Sequence, residues 1–138
     1  MRSRLTRLAV AMLGAVTLIL TLNAANAAEL PEGIKVQILA EYPSRVSKLG
    51  TVRLVKVTMQ PGAKFDNIVI KHEEYCRLSQ GQLSRTNHTL GTAHVITVGA
   101  HWAPPKGDRH TVISTGDKAA IMWVYQLIEK GEGKGDSM

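Results

Sequence analysis

The chain is poor in the residues that would commit it to several common designs. Its 138 residues include one cysteine, one phenylalanine and 4% aromatic residues in all. The lone cysteine, Cys76, excludes an intrachain disulfide and leaves three roles: a buried thiol, an intermolecular bridge or a ligand. Burial is the ordinary role for so small and apolar a side chain. The lysines and arginines form no run and have few aromatic residues among them, so the footprint of nucleic-acid binding is missing. The longest apolar stretch, residues 8–22, falls short of the roughly 20 residues needed to cross a bilayer. No cysteine follows it for a lipid anchor, and no Arg-Arg pair precedes it for twin-arginine export. Neither a repeat, nor a heptad, nor a second domain is legible.

What the N-terminus does hold is a basic start at Arg2, Arg4 and Arg7, that short apolar stretch, and Ala25-Asn26-Ala27. Small residues at that spacing suit signal peptidase, so residues 1–27 are expected to be a secretory signal peptide. The mature protein is then periplasmic or secreted, with no membrane contact after cleavage. The whole chain carries 17 basic and 11 acidic residues, and loss of three arginines with the signal lowers the formal charge from +6 to +3. What remains suffices for one domain around one core.

Short runs rich in Val, Ile and Thr follow, punctuated by glycine and proline. They are KVQIL (35–39), TVRLVKVTM (51–59), FDNIVI (65–70), EYCRLSQ (74–80), AHVITV (93–98), HTVIST (110–115) and AAIMWVYQLI (119–128). This spacing predicts an all-β chain, an antiparallel sandwich or small barrel. The last run is apolar on both faces and belongs in the middle of a sheet. The expected layout is an N-terminal strand or arm over 28–50, a barrel over 51–129 and a flexible tail over 130–138. The tail, KGEGKGDSM, has nothing to bury.

All five histidines, His72, His88, His94, His101 and His110, fall within 39 consecutive residues. Imidazole is the commonest protein metal ligand and the usual general base near neutral pH. His110 closes the stretch GAHWAPPKGDRH (99–110), where prolines fix backbone torsions and glycines permit positive ones. Such a turn aims the strand that follows it. The spacing Gly99, Pro105, Gly107, His110 resembles the second sequence motif of the cupin family. Gly62, Glu74 and Gly81 resemble the first, in which a glycine precedes a His-x-His pair, a glutamate and another glycine. The resemblance covers about residues 52–128 and implies a double-stranded β-helix, or jelly roll. It also implies a homodimer formed through N-terminal strands.

Two departures bear on function. Ser114 stands where the second motif ends in asparagine, and Ile68 and Ile70 stand where the first has its two histidines. In the family those histidines, the glutamate and the second-motif histidine hold one divalent metal. Here Glu74 and His110 alone are kept, fewer than the three protein ligands that catalytic metal sites generally use. His72 would complete an improvised set of His72, Glu74 and His110, suited to iron, manganese or zinc. Continuous strand parity places it on the face of Glu74; a bend between the strands places it in solvent. Without a metal, the cavity would offer Glu74, His110, Ser114 and Cys76 as polar groups against an apolar wall of Ile68 and Ile70. Three readings follow. One is an exported protein that binds a small-molecule ligand, with weak divalent-metal binding at most. Another is a metal-dependent enzyme of the oxygenase, isomerase or lyase type, and the last is a non-catalytic interaction barrel. The barrel alone does not choose among them, and the isoleucines weigh toward binding.

Overall fold

The computed structural model describes residues 29–46 and 48–132, and over them the chain is all-β. The expected signal peptide and residues 133–138 of the tail lie outside the described residues. Nine strands are present among those described: β1 (Ile34–Pro43), β2 (Leu49–Met59), β3 (Lys64–Val69), β4 (Glu73–Gln80), β5 (Leu83–Asn87), β6 (Thr92–Ile96), β7 (His101–Trp102), β8 (Arg109–Ser114) and β9 (Ala120–Glu129). They form a five-stranded sheet, β1-β2-β9-β4-β7, and a four-stranded sheet, β3-β8-β5-β6, with every pairing antiparallel. The chain passes repeatedly between the two sheets, as in a jelly roll.

Period-two alternation decides which side chains face inward. On β2 the buried residues are Arg53, Val55, Val57 and Met59; on β4 they are Glu74, Cys76 and Leu78. β9 buries Ala120, Met122, Val124, Gln126 and Ile128, and half-buries Ile121, Trp123 and Leu127 on its other face. It lies at the centre of the five-stranded sheet, where its two-sided apolar character belongs. Val55, Val57, Leu78, Leu83, Ile96, Met122 and Val124 form the heart of the core between the sheets. The N-terminal segment supplies β1, which pairs along β2 from Ile34 opposite Met59 to Pro43 opposite Thr51.

One irregularity positions the site. Phe65 opposes Val112 and Ile68 opposes His110, so two residues of β3, Asp66 and Asn67, stand against one residue of β8. Asn67 takes a positive φ of 50°, and its N–H donates to Thr111 Oγ1 at 3.0 Å. Simple alternation from buried Phe65 would turn Ile68 to solvent. The bulge returns it to the interior.

Candidate functional site

The proline-glycine turn docks on the end of β3. Gly107, at φ 92°, donates its N–H to Ile70 O at 2.8 Å, and the N–H of Ile70 donates to Asp108 O at 3.0 Å. Any side chain at Gly107 would be strained in that left-handed region. The docked turn sets the start of β8, so that His110 points inward and is 1% exposed, opposite Ile68 of β3 and Asn87 of β5.

His110 faces a cavity of about 40 Å³ between the sheets. Phe65, Ile68, Ile70, Val112 and Met122 make its apolar wall, and Trp102 and Pro104 of the proline loop border it. Its polar lining is Glu74, Cys76, Arg85 and His110. The fold thus brings together Ile68, Ile70, Glu74 and His110, the positions to which the resemblance assigns metal ligands, with Cys76 beside them. Ser114 is buried but lies farther along β8, opposite Leu83, outside that lining.

His72 does not line this cavity, though it borders a smaller space of about 20 Å³ with Ile68, Ile70, Glu74 and Gln126. The chain leaves β3 after Val69, bends at His72 and enters β4 at Glu73, yet burial alternates through the bend, with His72 and Glu74 inward and Glu73 outward. The ring is buried, and its Nδ1 lies 3.0 Å from Glu132 Oε2. Glu132 also accepts from Lys106 Nζ at 2.6 Å and from the Glu129 N–H at 3.1 Å. These contacts, Lys106 foremost, hold its carboxyl down at about 2. The start of the tail is therefore tied to the bend. Among the described residues, no three His, Cys, Asp or Glu side chains gather where one ion could be held. The improvised set does not assemble, and with isoleucine at 68 and 70 the side chains present do not fit a divalent metal.

Burial sets the electrostatics of the cavity. It pushes the Glu74 carboxyl above the usual range, against the opposing effects of a hydrogen bond from Gln126 Nε2 (2.9 Å) and the nearby His72. It also holds His110 below its ordinary value, helped by the charge of Arg85 and opposed by Asp108. The Cys76 thiol is pushed far up, again by burial first, and is no thiolate at neutral pH.

Arg85 is the site residue not legible in the sequence. It sits on β5, whose residues LSRTN have the composition of a polar loop. The one available signal was the alternation of Leu83, Arg85 and Asn87. Arg85 stands opposite Val112, beside the strand position of His110. Its Nε and Nη1 are buried with no hydrogen-bond partner, and so are both ring nitrogens of His110. The other histidines face elsewhere: His88 is exposed with Nε2 2.7 Å from Thr111 Oγ1, and His94 and His101 are exposed. Three roomier depressions, beside residues 41–51, 60–68 and 69–72, are open grooves on the outside and hold none of these unpartnered groups.

Solved structures share this arrangement of strands. KdgF from Halomonas sp. superposes with a TM-score of 0.57 at 16% identity, over 72% of this chain and 84% of that one. The cupin domain of Schizosaccharomyces pombe Cnp3 does so with 0.56 at 16% identity, over 74% and 69%. The chain has the cupin fold. The polyketide cyclase RemF from Streptomyces resistomycificus is similar to it in the same way, with a TM-score of 0.57 at 12% identity over 72% and 69%. No family model and no curated relative matches the sequence of this cupin-fold chain, so the likeness is one of backbone.

Proposed function

We propose that this protein is exported and binds a small molecule inside its cupin barrel, with Glu74 and His110 at the polar centre of the site. The observation that carries the reading is His110: an imidazole 1% exposed, on the wall of a cavity, with both nitrogens unpartnered. Buried polar groups in folded proteins nearly always have a partner. A ring left with both positions open, facing space, is one that a ligand completes. The surrounding apolar wall with a few convergent polar groups is the usual make-up of a small-molecule pocket. Thermal-shift screening of small acids, sugars and aromatics tests this directly. A stabilising ligand whose effect disappears in both Glu74→Gln and His110→Ala is expected; one unaffected by either variant would overturn the reading.

Export rests on the basic, apolar and small-residue sequence of the first 27 positions, and mass spectrometry should find the mature N-terminus at Ala28. A soluble chain retaining Met1 in its native host would contradict it. A homodimer is supported by Ile38, Leu39 and Tyr42, which are exposed on β1 at the edge of its sheet; sizing in solution decides it. Because isoleucine cannot coordinate, divalent metal should be present at well under one ion per chain after purification without added metal or chelator. Tight stoichiometric metal would show that the donor set is misjudged.

A second reading, catalysis by an acid–base pair, is favoured by one observation. Burial raises Glu74 and lowers His110, so each tends toward its neutral form, an acid and a base over one cavity. That RemF is a polyketide cyclase is in keeping with it. Turnover lost in both Glu74→Gln and His110→Ala, with binding retained, would favour catalysis over binding alone.

A further inference from the structure

We propose that the ligand of the cavity is a small monocarboxylate, held between the guanidinium of Arg85 and the ring of His110. The inference rests on the reading of the barrel as a binding site and names the chemical class it takes.

Four observations converge. First, Arg85 presents two buried nitrogens, Nε and Nη1, with no hydrogen-bond partner, and it lines the same cavity as His110. A guanidinium stays charged at any physiological pH; Arg85 is half-buried, and donors shut off from water without a partner are unfavourable. Second, no acid of the described residues answers it. Glu74 accepts from Gln126 (2.9 Å), and Asp108 accepts from Asn87 Nδ2 at 2.7 Å. Cys76, the thiol nearest in charge terms, stays protonated and brings no compensating anion. Third, an N–H of a charged guanidinium donates a short, charge-assisted hydrogen bond to a carboxylate oxygen, stronger than a neutral one. His110 adds a donor from the neighbouring strand. Fourth, the space is small. About 40 Å³ compares with the about 10–15 Å³ that admits one water, so the enclosed part of a ligand is a carboxylate with one to three carbons. Ile68, Ile70 and Val112 then cover its alkyl end. With isoleucines in place of two metal ligands, the cavity keeps a positive charge as a fixed side chain.

The test uses the purified protein with formate, acetate and propionate as probes, acetamide as the neutral isostere, and phosphate and chloride as other anions. Acetate is expected to bind saturably and raise the melting temperature, with acetamide, phosphate and chloride at least tenfold weaker. Arg85→Met should lose at least tenfold in acetate affinity, whereas Arg85→Lys, which keeps the charge, should retain part of it. Arg85→Met without ligand should melt at or above the temperature of the parent, because it removes two buried donors that have no partner. That separates lost binding from lost folding. Unchanged acetate affinity in Arg85→Met, or acetamide as tight as acetate, would overturn the proposal. So would a phosphate or chloride that binds Arg85 as tightly. If a neutral ligand binds through His110 and ignores Arg85, the carboxylate class falls while the binding site stands. If no small molecule of any class engages the barrel, both fall.

Discussion

On the five-stranded wall of the barrel, Arg53, Gln126 and Glu74 lie side by side across β2, β9 and β4, and they are paired. Arg53 Nε donates to Glu41 Oε1 at 2.6 Å and Gln126 Nε2 to Glu74 Oε1 at 2.9 Å. On the four-stranded wall facing them, buried His110 and half-buried Arg85 lie on adjacent strands with four buried nitrogens unpartnered. Gln126 Oε1 is the one orphan on the first wall among the described residues. Both walls bury polar groups in an otherwise apolar barrel. The difference is that one set is satisfied by the fold and the other waits for something outside it. Buried polarity alone therefore marks no site here; unsatisfied nitrogens gathered on one cavity do, whereas the unpartnered Ser114 Oγ lies outside it.

Four perturbations bear on that contrast, in falling order of effect. Leu78→Ala removes a fully buried side chain from the core that both walls share and should cost about 2–5 kcal/mol in denaturant unfolding. Gln126→Leu attacks the satisfied wall. It strips the Glu74 carboxyl of its donor and should cost about 1–3 kcal/mol. His110→Leu attacks the unsatisfied wall. Since no bond is broken, the change should stay within about 1 kcal/mol, in either direction. A loss as large as that of Gln126→Leu would erase the contrast between the walls.

The smallest effect is on pH dependence. The folded value of His110 is depressed, so its contribution is present above the ordinary 6.5 and lost as pH falls through the lower folded value. Glu74 has the opposite sign. Its folded value is raised, so its contribution is present below the ordinary 4.5 and lost as pH rises through the folded value. Unfolding curves of the parent and His110→Leu across pH 4–8 should differ only on the acid side, where the variant has the flatter slope. Identical slopes would mean that His110 titrates as it does unfolded.

Much of the fold was legible because the long strands alternate or are apolar on both faces. β2 and β9 announce themselves in that way, and the proline-glycine turn announces the inward aim of His110. Ile68, Ile70 and Glu74 could be placed at the cavity from motif spacing, and Cys76 from its parity with Glu74. What escaped depends on contacts that no local pattern records. β5 is a strand because β6 and β8 flank it, not because LSRTN favours one, and Arg85 escaped with it. His72 keeps the inward parity of Glu74, but its ring turns to a partner that no local pattern records. Its partner, Glu132, lies 60 residues away. Ser114 shares the parity of His110 but sits too far along β8 to reach the same space.

The most direct measurement is a side-chain ¹⁵N NMR titration of the parent with acetate, following the Arg85 Nε–H and the ring nitrogens of all five histidines. The predicted result is a saturable shift at Arg85 and His110 with a common dissociation constant, while the exposed His94 and His101 stay still. Arg85 and His110 signals that remain fixed while exposed sites move would contradict the account, because the unpartnered wall would then not be where a ligand binds.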